Sequence, residues 1–261
     1  MDEVKNLHIL GRSPRRGSSI VLFWTASGIE LKTSASELWA ELEGNFSTLE
    51  PWVSVWVNGA PVSRFIVEKG RRSYCLFRTL ETAAPYSIRL LKETQEMSGD
   101  ESHSLILHSI SARSSLPRDQ VFLPTDEKKL KLEFVGDSIT TGEGLAGATG
   151  EMDWITAWIS LRGSYALRVA DELQADFHFI SQSGWGVVCA WDNDKGGALP
   201  PCYEAVCALA RGKRNEELGS QQPWDFSSWK ADVVVVNLGT NDCGAYRNNP
   251  PKKQADGTEW K

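Results

Sequence analysis

A chain of 261 residues accommodates one large domain or two small ones. Its 41% hydrophobic and 24% charged residues are those of a globular protein, with most of the eleven tryptophans expected in the core. The formal net charge of -6 argues against a nucleic-acid partner, because phosphate contacts need clustered Lys and Arg, and the one basic cluster, residues 12–16, reads as a solvated turn.

The first six residues are charged, and no apolar core of signal-peptide length follows before Gly11. No run approaches the length that spans a membrane. The five cysteines (Cys75, Cys189, Cys202, Cys207, Cys243) are odd in number and contain no Cys-x-x-Cys pair. A cytoplasmic, reducing location is therefore the expectation, with secretion left open for a trimmed chain.

From residue 19 to about residue 114 the pattern has period two, as in half-buried strands. Strands are predicted at 21–24, 38–43, 52–57, 65–67, 74–77, 86–90 and 105–110. Leu38, Ala40 and Leu42 share one face against Glu41 and Glu43, and Val53, Val55 and Val57 alternate with Trp52, Ser54 and Trp56. Asn58-Gly59 is the strongest two-residue hairpin signal. The spacing predicts an all-β sandwich or jelly roll over residues 1–125. Its expected role is to prop up the second half, with carbohydrate binding as the alternative. Trp52 and Trp56 are accordingly expected to pack rather than to form a sugar platform. Residues 114–129, with Pro117, Pro124 and a charged run at 126–129, read as the linker.

The period then changes. A strand is predicted at 130–135, a helix at 164–173 with Ala166, Val169, Ala170 and Leu173 on one stripe, and a strand at 177–180. A helix is predicted at 201–210 with Gly212 as its stop signal, and an apolar strand at 231–238 buried on both faces. After Asp242 the sequence is polar, with no further element predicted. Strands alternating with helices imply an α/β domain over 126–261, with parallel strands and right-handed crossovers.

Three polar blocks each follow a strand of this second half: Gly136-Asp137-Ser138, Ser183-Gly184-Trp185-Gly186 and Gly239-Thr240-Asn241-Asp242. The carboxyl ends of strands are where open α/β sheets bind ligands. A serine flanked by glycines at such an end has the exposure a nucleophile needs, with backbone N–H groups available to a reacting carbonyl. Asp137 and Asp242 are expected to be structural acceptors.

In order and strand context the three blocks resemble the signature blocks of the SGNH (GDSL-like) hydrolases. The preceding β-rich segment, with Gly-Asp-Ser-Ile-Thr and Ser-Gly-Trp-Gly-Val, is more narrowly similar to carbohydrate esterase family two, whose members deacetylate plant polysaccharides or their oligosaccharides. The resemblance implies a three-layer α/β fold. It implies Ser138 as nucleophile, with the N–H groups of Ser138 and Gly184 and the amide of Asn241 as oxyanion donors, and needs neither metal nor organic cofactor. Trp185 is the candidate for substrate contact.

The family's base, a histidine in an Asp-x-x-His block, has no counterpart after Asp242. The four histidines are His8, His103, His108 and His178, and none is assigned the role. The α/β domain is therefore expected to be incomplete at its C-terminal end, with the histidine on a remaining fragment of the same protein. The expected activity is removal of O-acetyl groups from xylan- or mannan-type oligosaccharides. A lipase- or thioesterase-like activity and a catalytically dead carbohydrate-binding protein are the alternatives.

Overall fold

Alternation in the first half becomes two antiparallel sheets. The computed structural model describes residues 7–80, 85–117, 120–253 and 256–260. Its first strands are β1 (His8–Leu10), β2 (Arg15–Arg16), β3 (Ser19–Val21), β4 (Gly28–Thr33), β5 (Glu37–Asn45) and β6 (Trp52–Val57). Then come β7 (Ala60–Ile66), β8 (Gly70–Arg78), β9 (Tyr86–Lys92), β10 (Ser104–Arg113) and β11 (Phe122–Leu123). One sheet has the order β1-β4-β9-β6-β7, with β11 on β4, and the other the order β2-β3-β10-β5-β8.

The apolar face of each sheet lines one shared core. Leu38, Ala40 and Leu42 of β5 meet Val53 and Val55 of β6, Ile88 and Leu90 of β9, and Leu105 and Leu107 of β10. Each fully buried leucine or valine contributes about 1.5–3 kcal/mol. Asn58 and Gly59 both take positive φ (49° and 81°), the geometry that joins β6 to β7 in two residues. Part of the expected linker is itself strand, since Phe122 and Leu123 pair with Thr33 and Lys32.

In the second half β12 (Lys131–Gly136) is followed by α1 (Ser138–Thr141), α2 (Tyr165–Glu172), β13 (Asp176–Ser181), α3 (Lys213–Glu217), β14 (Val233–Asn237) and α4 (Thr240–Asn248). A short pair, β15 (Lys252–Lys253) and β16 (Glu259–Trp260), comes last. The sheet order is β13-β12-β14, and both pairings are parallel, as alternating strands and helices require. No helix among the described residues is long and apolar enough to cross a membrane.

In the second half four expectations need correction. Residues 201–210 form no α-helix: a 3-10 turn at Pro200–Cys202 leads into backbone bonds from Val206 to Gln222 and from Cys207 to Ser220. Those long-range bonds compete with any helix, and Gly212, at φ 91°, precedes α3 rather than ending a helix. The strand at 231–238 is not buried on both faces, because among the described residues β14 pairs with β12 alone and leaves Val233 47% and Val236 64% exposed. In α2 the buried residues are Ala166, Leu167 and Ala170, while Val169 and Leu173 face solvent. A helix, α4, does follow Gly239.

The halves are joined through two apolar clusters. Leu10, Trp56 and Leu91 pack with Leu132, Phe134, Leu161 and Phe177. Phe23 and Trp24 pack with Val135, Ile180, Leu199 and Cys207. Trp56 is thus a packing residue, as expected, and Trp52 lies beneath the Arg64 guanidinium, 4.3 Å from its carbon.

A polar bond crosses the same boundary. Arg12, wholly buried, pairs with Glu133 of β12 at 2.9 Å and donates to the carbonyls of Tyr203 and Ala205. Its guanidinium carbon lies 4.7 Å from the Tyr203 ring centroid and 5.2 Å from that of Phe226. Residues 12–16 are therefore not simply a solvated turn.

Candidate active site

The parallel register aligns the carboxyl ends of all three strands, because Gly136 of β12 is opposite Ser181 of β13 and Asn237 of β14. Neighbouring strands lie about 4.8 Å apart. Ser138, Gly184 and Asn241 follow those aligned ends by two, three and four residues. The sheet thus brings the three motif blocks to one edge, with Ser138 in the middle.

Ser138 opens α1 and is part-exposed. Asp137 caps the helix, its Oδ1 accepting the Ile139 N–H at 3.0 Å, which is a structural role. Burial raises the Asp137 carboxyl above its ordinary value. The turn closes at Gly142, φ 86°, whose N–H donates to the Ser138 carbonyl at 2.9 Å. A side chain at 142 would strike the Ser160 carbonyl, so glycine is required there.

Gly184 takes φ 77°, and its N–H donates to no described residue, so it is a free donor at the strand end. The Gly184 carbonyl accepts the Trp191 N–H at 2.8 Å, which closes the loop 184–191. That closure lays the Trp191 ring over Gly184, where a Cβ would sit 2.9 Å from Trp191 Cδ1. Trp191 is nevertheless 62% exposed. Trp185, the sequence candidate for substrate contact, is part-buried against the cluster of Val135 and Leu199.

Asn241 donates one amide hydrogen to the Trp185 carbonyl at 2.8 Å, leaving the second to aim elsewhere. Asp242 accepts the N–H groups of Val187 (2.8 Å), Val188 (2.7 Å) and Cys189 (3.2 Å). Burial works to raise this carboxyl, but the three backbone donors outweigh it and hold it below its ordinary value. A side chain on Gly186 would collide with the Asp242 carboxylate, so the close approach depends on that glycine. Block three thus positions block two.

Among the described residues nothing hydrogen-bonds the Ser138 hydroxyl, and the histidines are engaged elsewhere. His8 Nε2 meets Asp176 Oδ1 at 3.1 Å, and His103 Nδ1 meets Glu96 Oε1 at 3.2 Å. His108 joins Ser19 to Glu43. His178 is buried on β13 and stacks on Trp229 with centroids 3.6 Å apart, so it is a packed strand residue. Cys243 is exposed on α4. No described group of three or more His, Cys, Asp or Glu side chains is arranged to hold a metal ion.

Asp242 is the structural acceptor expected from the sequence, but sequence reasoning missed Trp191 and did not identify the N–H groups that Asp242 clamps. Neither has a local signal, since each depends on contacts formed only after the loops close.

A family model for GDSL-like lipase/acylhydrolases matches residues 132–259. An acetyl xylan esterase from the rumen bacterium Butyrivibrio proteoclasticus has a similar structure, with a TM-score of 0.92 and 40% identity over 100% of this chain and 68% of that one. A family two carbohydrate esterase from Cellvibrio japonicus is similar in fold, with a TM-score of 0.75 and 21% identity over 92% of this chain and 66% of that one. A curated acetylxylan esterase/glucomannan deacetylase of Cellvibrio japonicus (strain Ueda107) is 22% identical over 241 residues, which is 91% of this chain. The chain spans 61% of that curated relative's length.

Proposed function

Because the chain belongs to the GDSL-like lipase/acylhydrolases and is similar in structure to family two carbohydrate esterases, we propose that it is a serine esterase removing O-acetyl groups from xylan- or mannan-type oligosaccharides. One observation carries the reading. The register of β13, β12 and β14 puts a free N–H (Gly184), a serine hydroxyl (Ser138) and a side-chain amide (Asn241) just beyond three aligned strand ends.

In this mechanism Ser138 Oγ attacks the acetyl carbonyl and gives up its proton to a base. The N–H groups of Ser138 and Gly184 and the free hydrogen of Asn241 Nδ2 stabilise the oxyanion. Collapse expels the sugar alcohol, which takes the proton from the base, and leaves an acetyl-enzyme. Water then repeats the sequence and releases acetate. Trp191, lying over Gly184, offers an exposed face to the sugar, and we assign it a substrate contact beside Trp185.

We infer that the base is a histidine outside these 261 residues. What supports this is the outer edge of β14, which pairs with no described strand and exposes Val233, Val234 and Val236. An open apolar edge of this kind is normally covered. We read residues 1–125 as an accessory jelly roll and 126–261 as the catalytic domain. The jelly-roll reading rests on the strand orders β3-β10-β5-β8 and β4-β9-β6-β7, between which consecutive strands largely alternate.

The test is acetate release from acetylated xylo-oligosaccharides by the full-length protein. Ser138→Ala should abolish it, and acetyl esters should be cleaved far faster than octanoyl esters. Activity retained in Ser138→Ala would remove the nucleophile from this reading. The engagement of all four histidines away from Ser138 favours one alternative, a saccharide-binding protein without catalysis. Full-length protein that binds oligosaccharide and releases no acetate would establish that alternative.

A further inference from the structure

A cavity of about 670 Å³ opens where β6 and β7 meet the turn that follows α1. Trp56, Pro61 and Arg64 line it from the first half, and Leu145, Ser160 and Arg162 from the second. Its volume lies in the range of small-molecule sites and holds a sugar ring with room to spare. None of the motif residues lines it.

The two arginines differ in their commitments. Arg64 is already committed: its Nε meets Glu93 Oε2 at 3.2 Å, its Nη2 donates to the Ile159 carbonyl at 2.8 Å, and its face covers Trp52. Glu93, which also lines the cavity, balances that charge. Arg162 is exposed, and its guanidinium makes no ion pair or hydrogen bond with any described residue. Its backbone is held at the rim by the bond from its own N–H to Ser160 Oγ, at 3.1 Å. The cavity thus carries one uncompensated positive charge on a chain whose net charge is -6.

The cavity is also tied to the nucleophile. The Leu145 and Ser160 N–H groups both donate to the Gly142 carbonyl, at 3.3 and 3.0 Å. The Gly142 N–H in turn donates to the Ser138 carbonyl. The cavity wall and the nucleophile therefore share one hydrogen-bonded turn.

We propose that this cavity is a subsite for a carboxylate-bearing sugar unit, a uronosyl branch on the acetylated oligosaccharide, with the Arg162 guanidinium taking the carboxylate. A planar guanidinium matches a carboxylate with two parallel hydrogen bonds, and the apolar wall of Pro61 and Leu145 suits the less polar face of a sugar ring. The identity of the oligosaccharide rests on the esterase reading, but recognition of the carboxylate does not require catalysis.

The experiment is calorimetry on the full-length protein carrying Ser138→Ala, which separates binding from turnover. Two oligosaccharides of equal length are compared, one with a single uronosyl branch and one without. The branched ligand should bind about tenfold more tightly at low salt, consistent with a charge-assisted hydrogen-bonded pair. Arg162→Gln should erase that advantage, and Arg162→Lys should keep part of it. Arg162 is exposed and unpaired, so these variants should fold, which their melting temperatures check. Equal affinities, no binding of either ligand, or an advantage that survives Arg162→Gln would each overturn the proposal. Acetate release by the parent protein is measured separately, so the esterase reading stands or falls by its own assay.

Discussion

Asp242 Oδ1 accepts the N–H of Val188 at 2.7 Å, so a carboxylate on α4 sets the path of the loop that carries Gly184. Replacing it with alanine frees three backbone donors at once. Displacing an oxyanion donor by an ångström costs about 10²-fold in turnover. Asp242→Ala should therefore lower kcat by about that factor with little change in KM, and Asp242→Asn should recover part of the loss. The carboxyl is held below its ordinary value, so the stability it contributes is complete above its unfolded pKa of about 3.8 and is lost as the pH falls through the lower folded value. Urea midpoints taken below pH 4 should decline more steeply for the parent than for Asp242→Asn. Equal slopes, with kcat unchanged in Asp242→Ala, would refute the clamp.

Asn241 and Trp191 should separate by kinetic signature. Asn241→Ala removes a donor whose interaction strengthens only as charge develops, so kcat should fall by about 10²–10³. Trp191→Ala removes a face that contacts the sugar in ground and transition states alike. Its effect should be a rise in KM of about tenfold with kcat nearly constant. Steady-state kinetics on one acetylated oligosaccharide measures both.

The buried pair of Arg12 and Glu133 makes a stability prediction. Burial works to raise the Glu133 carboxyl, but His178, the charge of Arg12 and the Tyr203 hydroxyl outweigh it and keep it low. Arg12→Met strands that carboxylate in the interior and should cost about 3–5 kcal/mol. Adding Glu133→Leu removes the stranded charge, and the double variant should recover most of the loss. Chemical denaturation of the parent and both variants tests this. A double variant no more stable than Arg12→Met would show that the stranded charge is not the cause.

His8 bridges the first strand of the chain to Asp176 of β13. The hydrogen bond to Asp176 raises the His8 pKa, with burial opposing. A raised folded pKa means that this contribution is complete below about pH 6.5 and is lost as the pH rises through the folded value. Stability should therefore fall on the alkaline side of pH 6.5 in the parent. His8→Ala should lack that slope, and urea midpoints across pH 6–9 would reveal it.

Much of the fold was legible because the patterns that encode it are local. Leu38, Ala40 and Leu42 announce a strand by period two, and Asn58-Gly59 announces its turn by backbone preference alone. Ser164 caps α2 through its own side chain, accepting the Leu167 N–H. The helix expected at 201–210 failed because Val206 and Cys207 bond to residues 222 and 220, a competition that no window of sequence contains.

For the candidate site, the chain by itself determined which residues follow strand ends: Ser138 after β12, Gly184 after β13 and Asn241 after β14. The motif spacing and the apolar runs before each block were sufficient, since both follow from backbone geometry over a few residues. Only the tertiary structure decided that these ends align, that Asp242 holds residues 187–189, that Trp191 rather than Trp185 lies over Gly184, and that Arg162 borders a cavity shared by both halves. Each of these depends on strand order and loop closure, which bring together residues far apart in sequence. The energy of such contacts appears only when the sheet has formed.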